Sequence, residues 1–163
     1  MKLFWSLIAA GTVVTLGAAQ TPAQPVRVGT FHTSSVVVAF YRSPVWAERL
    51  KEKKAESEAA KKAGDTKKVQ ELNDWGAGGQ ELAHRQLSGD APIPNILEAL
   101  APAFPQIAQK AQVSIIVQDL PYAAASVETV DVTDQLLDWL KADESTRKIV
   151  RELRNSQAPP ARH

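Results

Sequence analysis

Two polar groupings in this chain hold side chains that could do chemistry. His84-Arg85-Gln86 sets an imidazole, a fixed cation and an amide side by side, with Ser88 and Asp90 close behind. Asp119 and Tyr122 put a carboxylate and a phenol into one short turn. Either grouping could contact a ligand or a partner. Each also has a plainer use: His84 and Arg85 complement the dipole at a helix end, and Asp119 and Tyr122 serve as turn residues. The remaining histidines, His32 and His163, lie too far from His84 in sequence to suggest a metal site. The chain has no GxSxG elbow, P-loop, GxGxxG fingerprint or HExxH pair. Gly76-Ala77-Gly78-Gly79 falls inside a helical pattern with no strand before it, which makes a poor phosphate cradle. No catalytic residue, metal or cofactor is assigned.

The chain that must position these groups has 163 residues, enough for one modest core. Lys2, an apolar run and Gly17-Ala18-Ala19 form a signal-peptide pattern over residues 1–19, with cleavage expected after Ala19. Lys2 is the one charged residue there. Its loss from 19 basic and 18 acidic residues leaves the rest formally neutral. Bulk charge therefore predicts no nucleic-acid partner and at most weak contact with a membrane surface. The absence of cysteine excludes disulfides and thiolate zinc sites. Residues 20–25 read as a flexible leader and 156–163 as a disordered tail.

The body is expected from both ends of the chain. Residues 26–31 alternate as a strand, and Thr33 or Ser34 can cap a short helix through Tyr41. Far downstream, VSIIV (113–117) is a β-branched run of the kind that makes a buried strand. Asp119, Pro121 and the small residues 123–126 break it, and residues 127–132 alternate as a second strand. Thr133 can then cap a helix carrying Leu136, Leu137 and Leu140 on one stripe. Before the VSIIV run, Asn95 is placed to cap a helix that Pro102 and Pro105 must kink or split. After Leu140, Asp143 can cap an extra helix over 142–155. The fold class predicted is α+β: a small antiparallel or mixed β-body, built by the N-terminal strand and two C-terminal strands (26–43 and 88–141).

Residues 44–87 read as a protruding helical hairpin. Ser43-Pro44 is a capped start, AERLKEKKAESEAAKK is rich in helix formers, and Gly64-Asp65 supplies a stop and a fresh cap. Its apolar stripe is thin: Trp46 and Leu50 on one arm, Val69, Leu72, Trp75 and Leu82 on the other. Counting outward from Gly64 sets Trp46 opposite Leu82 and Leu50 opposite Gly79. Gly76 and Gly79 either let the arms approach or merely loosen the helix. Glu58 and Lys62 have the favourable i, i+4 order.

These pieces resemble the Skp (OmpH-like) periplasmic chaperones. The resemblance rests on the signal peptide, VRVGTFHTSSVVVAFY, the charged hairpin, the returning helix and the ending VSIIVQDLPYAAASVETVDVTDQLLDWL. It covers about residues 26–141 and is most specific at IIV, Tyr122 and VDVTDQLL. It implies a short-armed, periplasmic homotrimer whose hairpins shield unfolded outer-membrane or envelope proteins without ATP. Under that reading Trp46, Leu50, Val69, Leu72 and Trp75 are the client contacts, although packing within the hairpin is the favoured use of the two tryptophans. The short arms, the neutral charge, the glycine cluster and residue 143 onward depart from the family pattern. The alternative is a non-chaperone envelope scaffold or interaction module on the same body.

Overall fold

Arg27, at the start of the first strand, holds a neighbour on each side. One nitrogen of its guanidinium pairs with Glu128 at 2.9 Å and another donates to the Ala111 carbonyl at 3.0 Å. In the computed structural model, which describes residues 26–157, that strand is the centre of the sheet. The expected signal segment 1–19, the leader 20–25 and residues 158–163 of the expected tail lie outside the described residues.

β1 (Arg27–Phe31) lies between β2 (Ile115–Gln118) and β3 (Glu128–Asp131), and both pairings are parallel. The expected antiparallel or mixed body is thereby corrected to a three-stranded parallel sheet inside a mixed α+β fold. The reason lies in residues 119–127. They do not make a tight return but form an irregular crossover that brings the chain back to the start of β3. An extended segment of that length reaches about 30 Å, enough to span strands this short. Gly29 lets the strands close up, since a Cβ there would meet Ile116 and Val113 side-chain carbons at 3.1 Å.

The sheet has one packed face. Phe31 is buried in the core, with Ile116 and Val130 packed against it. On the other face Ile115 is 52% exposed, so the strand expected to be buried is an edge strand with one side open. Parallel sheets are ordinarily covered on both faces.

Seven helices complete the described residues. α1 (Thr33–Tyr41) begins on His32, whose Nδ1 accepts from the Ser35 amide, rather than on Thr33 or Ser34. Thr33 is diverted, because its amide and hydroxyl both donate to the Asp119 carboxylate. α2 (Pro44–Ala63) starts on Ser43 with proline at its first turn, and α3 (Thr66–Ser88) starts on Asp65, as read from sequence. Gly64 at φ 69° ends α2 and Gly89 at φ 83° ends α3. The prolines do split the next segment, into α4 (Pro94–Leu100) and α5 (Phe104–Ala111). Asn95 is not the cap there: Pro94 takes the first helical position, which moves the cap back to Ile93. Likewise Val132, not Thr133, precedes α6 (Thr133–Trp139). The Thr133 hydroxyl instead accepts from the His32 amide at 3.0 Å, tying the ends of β1 and β3 together.

α7 (Glu144–Gln157) is capped by Asp143, which accepts from the Thr146 amide at 2.8 Å. It continues through Ser156 and Gln157, which were expected in the tail. Val150 and Thr146 are buried, and Arg42 of the α1–α2 junction donates to the Thr146 hydroxyl at 3.0 Å. The C-terminal helix is therefore part of the core rather than an appendage. That core joins Val36, Val37 and Phe40 of α1 to Ile96, Leu100, Leu136 and Leu140.

Candidate functional site

α2 and α3 pack on one another along a seam with 3–4 residue spacing, as antiparallel helices joined by a two-residue turn must. Leu50, Lys53, Ser57 and Ala60 supply the less exposed positions of α2, and Val69, Leu72, Trp75 and Gly79 those of α3. Away from its first turns, α2 packs chiefly on α3 and has Ala60 as its one buried residue. The arm's remaining surface is charged, with pairs at Lys51–Glu48, Lys53–Glu56, Lys61–Glu58 and Lys68–Glu71. Glu58 thus pairs with Lys61, one residue short of the Lys62 expected from i, i+4 spacing. The Lys61 ammonium beside Glu58, and the Lys53 ammonium beside Glu56, hold both carboxyls below their usual range.

At the base of the arm the seam widens into an aromatic cluster. Trp46 stacks on Trp75 with centroids 5.9 Å apart and planes 24° apart. Tyr41 meets Trp46 edge-on at 4.9 Å, and Phe40 lies 5.7 Å from it. The Trp46 indole lies over Gly79, where an added Cβ would sit 3.9 Å from its far edge. Simple counting placed Trp46 against Leu82. The long ring instead reaches about one turn outward, into the room Gly79 leaves. Gly76 and Gly78 face open space.

Beneath the cluster sits a closed polar triangle. Gln86, only 1% exposed, accepts from the Tyr41 hydroxyl at 2.8 Å and donates to the Pro92 carbonyl at 2.8 Å and to Asn95 Oδ1 at 2.7 Å. Asn95 Nδ2 completes the triangle on the Tyr41 hydroxyl at 3.4 Å. A buried amide with its carbonyl and both N–H groups engaged fixes the hairpin to the body rather than offering itself to a ligand.

The sequence candidates therefore separate into three places. Trp46, Leu50, Val69, Leu72 and Trp75 line one seam, with Leu72 the most buried at 9% exposure. His84 and Arg85 are exposed at the end of α3, where Arg85 reaches the Asp90 carbonyl at 3.3 Å, and Gln86 turns inward. Asp119 belongs to the other grouping, bound to Thr33 with φ at 42°. Tyr122 stands 78% exposed in the crossover beyond it. The two polar groupings are not brought together.

Two residues of the cluster were not singled out from sequence. Arg49 lies over the Trp46 ring at 6.0 Å, one turn along α2, and the Trp46–Arg49 spacing of i, i+3 was the available signal. Asn95 was read only as a cap. Its second role depends on a helix start one residue earlier, which Pro94 sets.

No protein-family model matches the chain, and comparison with curated proteins and with solved structures returns no match.

Proposed function

We propose that this chain is a Skp-like, OmpH-like holdase of the periplasm, which shields unfolded outer-membrane or envelope proteins from aggregation without ATP. The observation that carries the reading is the hairpin: two long charged helices leaving an α+β body, joined by a seam thin in large apolar residues. A seam of that kind closes on itself weakly and can part to admit apolar segments of a client. The aromatic cluster at its base supplies adaptable, flat apolar area at low entropic cost. The mechanism is many weak contacts, with Trp46, Leu50, Val69, Leu72 and Trp75 as the client-facing set.

Assembly as a homotrimer belongs to the same proposal. Its support is the sheet face and the two strand edges left open among the described residues, which a neighbouring copy can cover. The scaffold alternative draws on a different observation, that those apolar seam residues already pack against one another.

The test is light scattering of a urea-diluted outer-membrane β-barrel protein, with and without the chain from Gln20 onward. Suppression at near-stoichiometric amounts is expected. A folded, assembled protein that leaves aggregation unchanged removes the holdase reading in favour of the scaffold.

A further inference from the structure

The glycines at the base of the arm have no steric need to be glycine. A Cβ at Gly78 would touch nothing, and one at Gly79 would make ordinary contact with Trp46. Neither residue has a positive φ. Glycine in a helix interior nevertheless costs stability against alanine, so two in succession need another reason. The two glycines border a recess of about 310 Å³, lined also by Tyr41, Trp46, Trp75, Leu82 and Asn95. It accepts one aromatic ring and part of the backbone that carries it.

Arg49 stands at the rim. Of the carboxylates near it on α2, Glu48 pairs with Lys51, while Glu52, one turn further along, forms no ion pair with Arg49. Among the described residues Arg49 makes no ion pair, and the contact it does make is with the Trp46 ring. An unpaired guanidinium beside a flat apolar recess complements an aromatic group that carries a carboxylate next to it.

We propose that the recess bordered by Gly78 and Gly79 is a binding site for an aromatic side chain flanked by a carboxylate, with Trp46 and Trp75 gripping the ring and Arg49 pairing with the acid. Building on the holdase reading, it names the client feature recognised at the base of the arm, an aromatic residue next to an acidic group. Filling the recess removes the site while restoring helix propensity.

The probe is N-acetylphenylalanine, titrated into the chain from Gln20 onward and followed by the indole N–H signals of Trp46 and Trp75 in NMR spectra. Trp139, which does not line the recess, is the internal control. Saturable shifts confined to Trp46 and Trp75 are expected, with about fivefold weaker binding for N-acetylphenylalaninamide, which lacks the acid. N-acetylalanine, which lacks the ring, should give none. The double variant Gly78→Leu, Gly79→Ala should melt no lower than the parent and lose the saturable shifts. Arg49→Gln should bring the acid and the amide to equal affinity. Parent shifts that never saturate, or binding undiminished in the filled variant, would overturn the proposal. A chain that binds the probe but leaves barrel-protein aggregation unchanged keeps the site and loses the holdase reading. A chain that suppresses aggregation without binding the probe keeps the holdase reading and loses the site.

Discussion

The Tyr41 hydroxyl and the Gln86 side-chain carbonyl meet at 2.8 Å, joining the end of α1 to the end of α3. With the Gln86 bonds to Pro92 and Asn95, this contact ties the base of the arm to the body. Replacing Gln86 with leucine strips partners from the Tyr41 hydroxyl, the Pro92 carbonyl and Asn95 Oδ1 at once. The expected loss is about 1–3 kcal/mol in urea denaturation, the cost of stranding buried polar groups. A change within about 0.5 kcal/mol would mean that water satisfies them and the triangle holds nothing.

Gly29 should tolerate only small additions. Gly29→Val drives methyls into Ile116 and Val113, already at 3.1 Å from an ideal Cβ, and should cost about 1–3 kcal/mol. Gly29→Ala should cost less, since flexible side-chain ends can yield. Equal stability of all three proteins would show that β1 and β2 do not approach as closely as described.

Val150 tests the standing of α7. Val150→Ala removes two buried methyls and should lower stability by roughly 1–3 kcal/mol. An effect near zero would make α7 a detachable element. Because the helix is part of the core, removing residues 143–163 would disturb the whole fold. A search for a partner on this helix is better done with Ile149→Ser, on its exposed side.

Asp143 gives a pH signature. The Thr146 amide and hydroxyl and the Ser145 hydroxyl hold its carboxyl down from 3.8 to about 2. A folded pKa below the unfolded one contributes stability that is full above about pH 4 and fades as the pH falls toward 2. The urea midpoint of the parent should therefore fall more steeply across that window than that of Asp143→Asn. Parallel slopes for the two proteins would remove Asp143 as the source.

The crossover 119–127 has few backbone hydrogen bonds of its own and is held at its start by Asp119 on Thr33. Asp119→Ala should speed limited proteolysis near Tyr122 by several-fold while changing global stability little. Unchanged cleavage would show that packing, not the Asp119–Thr33 contact, holds the segment.

The sequence spoke most clearly where one residue decides a backbone conformation. Ser43-Pro44, Gly64-Asp65 and the Pro102/Pro105 split mark their boundaries by local chemistry alone, and the arm followed from them. It was least legible where two distant segments compete for one side chain. Thr33, Asn95 and Thr133 all look like caps in isolation, yet each is claimed by another group: Asp119, Gln86 and His32. Strand direction was hidden for a related reason. Alternation reports which face a strand buries and carries no sign of the neighbour's direction. The partners that show it, Arg27 and Glu128, lie a hundred positions apart in the chain. The recess was hidden because its walls come from α1, α2, α3 and α4, which only the fold brings together.

The central place of β1 also sets an order of events for folding. Its partners lie far downstream: Arg27 reaches Ala111 across a sequence separation of 84, and β3 ends at Asp131. The arm, by contrast, closes on a two-residue turn and needs nothing beyond Ser88. As the chain emerges from its N-terminus, the helices can zip together first, while the earliest strand stays single until the last third of the chain arrives. Loop closure of that length slows sheet formation relative to the helices. For that interval an unpaired apolar strand is exposed, so this protein passes through the same vulnerable state it is proposed to guard in others.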